Sequence, residues 1–65
     1  MWYVYLDNKL VNKGHKLNKL INDIYKIIDK GKAPQYLLNE IIIQGYKKYR
    51  HEYYTFIIKK EKINF

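Results

Sequence analysis

The period of apolar positions changes along the chain, and each change marks an element. Residues 1–6 alternate, with Trp2, Val4 and Leu6 on one side and Tyr3 and Tyr5 on the other. A two-residue period in an aromatic and aliphatic segment predicts a strand. Asp7-Asn8 follows, and both residues tolerate left-handed backbone, so a tight hairpin into a short second arm over 9–12 is expected. Gly14 breaks that arm, and His15 is expected to be exposed in the loop after it.

From Leu17 the period lengthens. Leu17, Leu20, Ile21, Ile24, Ile27 and Ile28 recur at three- and four-residue steps. That spacing predicts an amphipathic helix over 17–30, with Asn18, Lys19, Asn22, Asp23, Lys26 and Lys30 on its polar face. Gly31 suits the C′ position and Lys30 the negative end of the helix dipole. Pro34 suits the first position of a second helix. On that helix Leu38, Ile41, Ile42, Gly45 and Tyr49 share a face, while Tyr36 and Ile43 project from the opposite side, beside Lys47 and Arg50. Two apolar faces imply two packing partners, one the first helix and the other a sheet or a second subunit. Glycine in mid-helix costs about 1 kcal/mol against alanine, so Gly45 is expected to mark a close helix crossing. Residues 53–58 are aromatic and β-branched and predict a buried strand, with a helix continuing through Tyr49, Tyr53 and Phe56 as the alternative. Residues 59–62 form a solvated charge run, and 63–65 a last strand or a frayed end.

These elements predict an α+β fold in a single small domain over 1–65. It has an N-terminal strand or hairpin, two antiparallel amphipathic helices, and a C-terminal strand pairing with the N-terminal one. Leu20, Ile24, Ile27, Leu38, Ile41 and Ile42 are the expected core, with Trp2 as an anchor.

Composition limits how such a chain can be stabilised. A chain of 65 residues buries only about 60% of its unfolded surface. Cysteine is absent, so disulfides are excluded, and His15 and His51 alone cannot make a structural zinc site. No metal or cofactor is expected. The remaining route is association, either as a homo-oligomer or with a larger protein. No apolar run approaches the roughly 20 residues of a membrane span, and no signal-peptide pattern is visible, so a cytoplasmic protein is expected. Lys, Asn, Ile, Tyr and Phe, all written with A/T-rich codons, make up more than half of the chain. An AT-rich genome or a mobile element accounts for much of that bias. It accounts less well for the formal charge of +7.

Serine is absent too, and Thr55 is the only threonine, which removes the usual hydroxyl and thiol nucleophiles. Binding is therefore expected in place of catalysis. The densest candidate stretch is Tyr46-Lys47-Lys48-Tyr49-Arg50-His51-Glu52-Tyr53-Tyr54. Lys47, Lys48 and Arg50 are candidate phosphate contacts, and Tyr46 and Tyr49 candidate stacking partners for unpaired bases. On a helix, Lys47, Arg50 and Tyr54 would lie together, with Tyr46, Tyr49 and Tyr53 on an adjoining face. The plainer reading is that these tyrosines cap the core and the lysines solubilise the surface. His51-Glu52 offers acid–base groups of the kind that metal-independent RNA cleavage uses, but adjacent side chains diverge on any regular element, so no catalytic residue is assigned.

Gly31-Lys32-Ala33-Pro34-Gln35-Tyr36-Leu37-Leu38-Asn39-Glu40-Ile41-Ile42 resembles the turn and second helix of ribbon-helix-helix repressors. That family places an alternating DNA-reading strand directly before its first helix. Here residues 9–16 contain Gly14 and little alternation, and residues 53–65 have no counterpart in the minimal fold. The leading functional expectation is a small basic nucleic-acid-binding accessory or regulatory protein. A phage- or plasmid-type inhibitor or adaptor acting on a host enzyme comes second, and a metal-independent RNase toxin third. One continuous basic face would favour nucleic acid; basic residues scattered around an exposed apolar patch would favour a protein partner.

Overall fold

The alternating and helical segments assemble into a helix-backed sheet. The computed structural model describes residues 1–28 and 31–62, with His51 described by its backbone alone. In chain order the elements are β1 (Trp2–Leu6), β2 (Lys9–Gly14), α1 (Leu17–Ile27), α2 (Gln35–Gln44), β3 (Tyr46–His51) and β4 (Tyr54–Lys59). The strands form one sheet in the order β2-β1-β4-β3, with every neighbouring pair antiparallel. The fold is thus α+β, and the first and last strands pair at the centre of the sheet, as expected.

Turn chemistry sets the two hairpins. Asp7 and Asn8 have φ of 47° and 70°, the left-handed pair that a tight two-residue hairpin requires. Asp7 also ties this turn to the far hairpin: its N–H donates to the Thr55 carbonyl at 3.0 Å, and its Oδ1 accepts from the Thr55 N–H at 3.1 Å. The register between β1 and β2 shifts at Val4/Tyr5, leaving Val11 as the extra residue of a bulge. Glu52, with φ 52°, turns β3 into β4.

The helices cover one face of the sheet. Trp2, Val4, Tyr49, Phe56 and Ile58 from the strands meet Leu17, Leu20, Ile21, Ile24 and Ile28, and Leu37, Leu38 and Ile41 from α2. Ile21, Ile41 and Ile58 are fully enclosed. The Asn22 Oδ1 accepts the Ala33 N–H at 2.9 Å, fastening the segment before α2 onto α1.

Several expectations change. The first helix ends at Ile27, where the Ile28 N–H closes the last turn on the Ile24 carbonyl at 3.0 Å. Lys30, expected at the dipole end, and residues 63–65, expected as a strand or frayed end, lie outside the described residues. The second helix stops at Gln44. Gly45 takes φ 71° and its N–H caps the Ile41 carbonyl at 2.7 Å, so it is a helix terminator and not a helix crossing. Residues 46–51, assigned to the helix, form an edge strand. This moves the apolar stripe: Leu37 joins Leu38 and Ile41 inside, while Ile42 is 54% exposed. Ile27, at the margin of the α1 stripe, is 66% exposed. The ribbon-helix-helix expectation fails in the sheet: β4, within residues 53–65 that have no counterpart there, is a central strand, and residues 46–51 form β3 beside it.

Candidate nucleic-acid interface

A strand sends successive side chains to opposite faces, and directly paired residues on neighbouring strands share a face. This divides the predicted site. On β3, Lys47 pairs with Ile58 and Tyr49 with Phe56, both core residues, so Lys47 and Tyr49 lie on the helix side. Tyr46, Lys48 and Arg50 pair with Lys59, Ile57 and Thr55 and lie on the opposite, helix-free side.

Tyr49 belongs to the core. Tyr25 stands edge-on to its ring, with centroids 5.7 Å apart. Its hydroxyl is buried with no hydrogen-bond partner among the described residues. Burial pushes its pKa upward, and the nearby Tyr25 phenol and Glu40 carboxylate add to that shift; the Tyr25 hydroxyl is close but does not meet hydrogen-bond geometry. Lys47 is half-buried on the helix side. Neither residue offers a surface to a ligand on the helix-free side.

The helix-free side gathers residues from all four strands. One cross-strand row reads Lys13, Tyr3, Lys59, Tyr46 from β2 to β3. The next reads Leu10, Tyr5, Ile57, Lys48, and a third places Thr55 beside Arg50. Lys13, Lys48 and Arg50 are exposed, Tyr3 and Lys59 half-buried, and Tyr46 is 40% exposed. Tyr5 is only 2% exposed yet lies outside the main core cluster, in register between Leu10 and Ile57. Carboxylates border this face: Asp7 accepts the Thr55 N–H at the turn end of the third row, and Glu61 follows Lys59 by two residues beyond the other end of β4. Glu52 sits at the second hairpin turn, and Asp23 and Glu40 lie on the helices. Lysines do occur elsewhere: Lys16, Lys19, Lys26 and Lys32 are exposed on or beside α1. A groove of about 210 Å³ at the start of α1 is flanked by Lys13, His15, Lys16, Lys19 and Asp23.

The sequence stretch thus supplies three of its five residues, Tyr46, Lys48 and Arg50, to this face. Lys13, Tyr3 and Lys59 were not among the candidates. The alternation that put Tyr3 opposite Trp2 was readable, but not which strands would lie beside it. The side chain of His51 lies outside what is described, and Glu52 occupies a turn. No helix among the described residues is long and apolar enough to cross a membrane. Comparisons with family models, with curated proteins and with solved structures give no match.

Proposed function

We propose that the protein binds nucleic acid through the helix-free face of its sheet, as a small accessory or regulatory protein. The observation that supports this reading is one surface on which Lys13, Lys48, Arg50 and Lys59 stand among Tyr3 and Tyr46, with the carboxylates Asp7 and Glu61 at its two ends. Cations so placed neutralise phosphates and release counterions, and partly exposed rings offer a platform to bases. Affinity for a labelled oligonucleotide should fall linearly on a log–log plot against salt. Removing one phosphate contact, as in Lys48→Ala, should lower that slope by about one unit. No binding to single- or double-stranded probes at low salt would end this reading.

A second reading is a protein-binding adaptor or inhibitor, or a self-associating chain. It is favoured by the outer side of α2, where Ile43 is 85% and Tyr36 72% exposed beside Ile42. Isolated apolar side chains are common on surfaces, but these three lie on one short helix. Sedimentation at micromolar concentration separates the possibilities: a species heavier than the monomer that is lost in Ile43→Asn supports an interface there, and a monomer throughout removes self-association.

A further inference from the structure

The row Lys13, Tyr3, Lys59, Tyr46 alternates cation and ring across the full width of the sheet. Neighbouring strands are about 4.8 Å apart, so the row is about 14 Å long and its two rings stand about 10 Å apart with a cation between them. In a duplex, bases stack at about 3.4 Å along each strand and their faces are hidden, so rings fixed on a sheet cannot reach them. Nor does this face project a helix or ribbon into a groove. An unpaired strand meets neither obstacle: its bases can splay onto separated rings while its phosphates pass the intervening lysines. Tyr5, in the neighbouring row between Leu10 and Ile57, does not take part, because it is only 2% exposed.

We infer that this face takes single-stranded nucleic acid laid across the strands, with one base stacking on Tyr3 and another on Tyr46. The inference rests on the nucleic-acid reading above and narrows it to one substrate class. The test uses fluorescence anisotropy with a labelled oligothymidylate of about 12 nucleotides and a blunt duplex of the same length. At equal salt the single strand should bind at least about tenfold more tightly than the duplex. Tyr46→Ala should weaken single-strand binding by about tenfold without changing the salt slope, while Tyr46→Phe, which keeps the ring, should bind like the parent. Far-UV circular dichroism of both variants checks the fold. Equal affinity for duplex and single strand, or no effect of Tyr46→Ala in a folded protein, overturns the inference while leaving nucleic-acid binding intact. Failure of the parent to bind either probe overturns both.

Discussion

Tyr46 and Tyr49 stand three residues apart on one edge strand and end in opposite environments. Tyr49 points under the helices, where Tyr25 meets its ring edge-on and its hydroxyl is shut away from water. Tyr46 points away from them, beside Lys59, with 40% of its surface open. The same split runs through the whole sheet. Its helix side carries Trp2, Val4, Phe56 and Ile58; its other side carries tyrosine, lysine and arginine around Leu10 and Ile57. One face holds most of the core of a chain that has no disulfide; the other buries Tyr5 and otherwise presents charge and aromatic surface.

The largest test of that division is in the covered face. Ile24→Ala or Ile41→Ala should cost about 2–5 kcal/mol, enough to unfold so small a domain, and thermal melts would register it. A variant that melts like the parent would break the comparison at its base. Next in size is the joint between helix and edge strand. Gly45 adopts φ 71°, and a Cβ there would meet only Lys60 Cβ at an ordinary 3.9 Å, so Gly45→Ala should cost about 1–2 kcal/mol through backbone strain alone. Denaturant titration of Gly45→Asn, which tolerates left-handed backbone better, should show a smaller loss.

Tyr49→Phe sharpens the contrast in the other direction. Removing a buried hydroxyl without a partner should stabilise by about 1 kcal/mol. The pH dependence follows from the raised pKa. Below the unfolded value of about 10, both states keep the proton; above it, the unfolded chain ionises while the folded one resists, so stability falls as pH rises. Melting the two proteins across that range should show a shallower alkaline loss for Tyr49→Phe. An identical slope would mean that the hydroxyl is less enclosed than its geometry indicates. The smallest effect belongs to Ile43→Ala, which should change stability by less than about 0.5 kcal/mol because Ile43 lies outside the core.

Much of the fold was legible because local periods were strong. Trp2-Tyr3-Val4-Tyr5-Leu6 alternates cleanly, Asp7-Asn8 supplies the turn, and Leu17 to Ile28 keeps a helical stripe. What misled was Gly45. Its neighbours continue an i, i+4 pattern into Tyr49, and nothing local distinguishes a tolerated helical glycine from a terminator. Tertiary pairing with β4 decides it, since residues 46–51 find strand partners only once both chain ends share a sheet. The candidate site was half legible for the same reason. Read as a helix, 46–54 kept Lys47, Arg50 and the tyrosines on adjoining faces; as a strand it sends Lys47 and Tyr49 to the other side. Tyr3, Lys13 and Lys59 could be found only from the cross-strand register, which a single sequence does not contain.

The division of labour between the two faces is tested most directly by a pair of double charge reversals. Lys48→Glu/Arg50→Glu alters the helix-free face, and Lys26→Glu/Lys32→Glu makes the same net change among exposed residues on the helix side. Binding of both variants to a labelled oligonucleotide at low salt, with circular dichroism to confirm folding, compares position at constant charge. The first pair should lose at least about a hundredfold in affinity and about two units of salt slope, and the second should lose little. Equal losses from both would mean that net charge alone draws nucleic acid to this protein, and that the open face of the sheet has no special part in it.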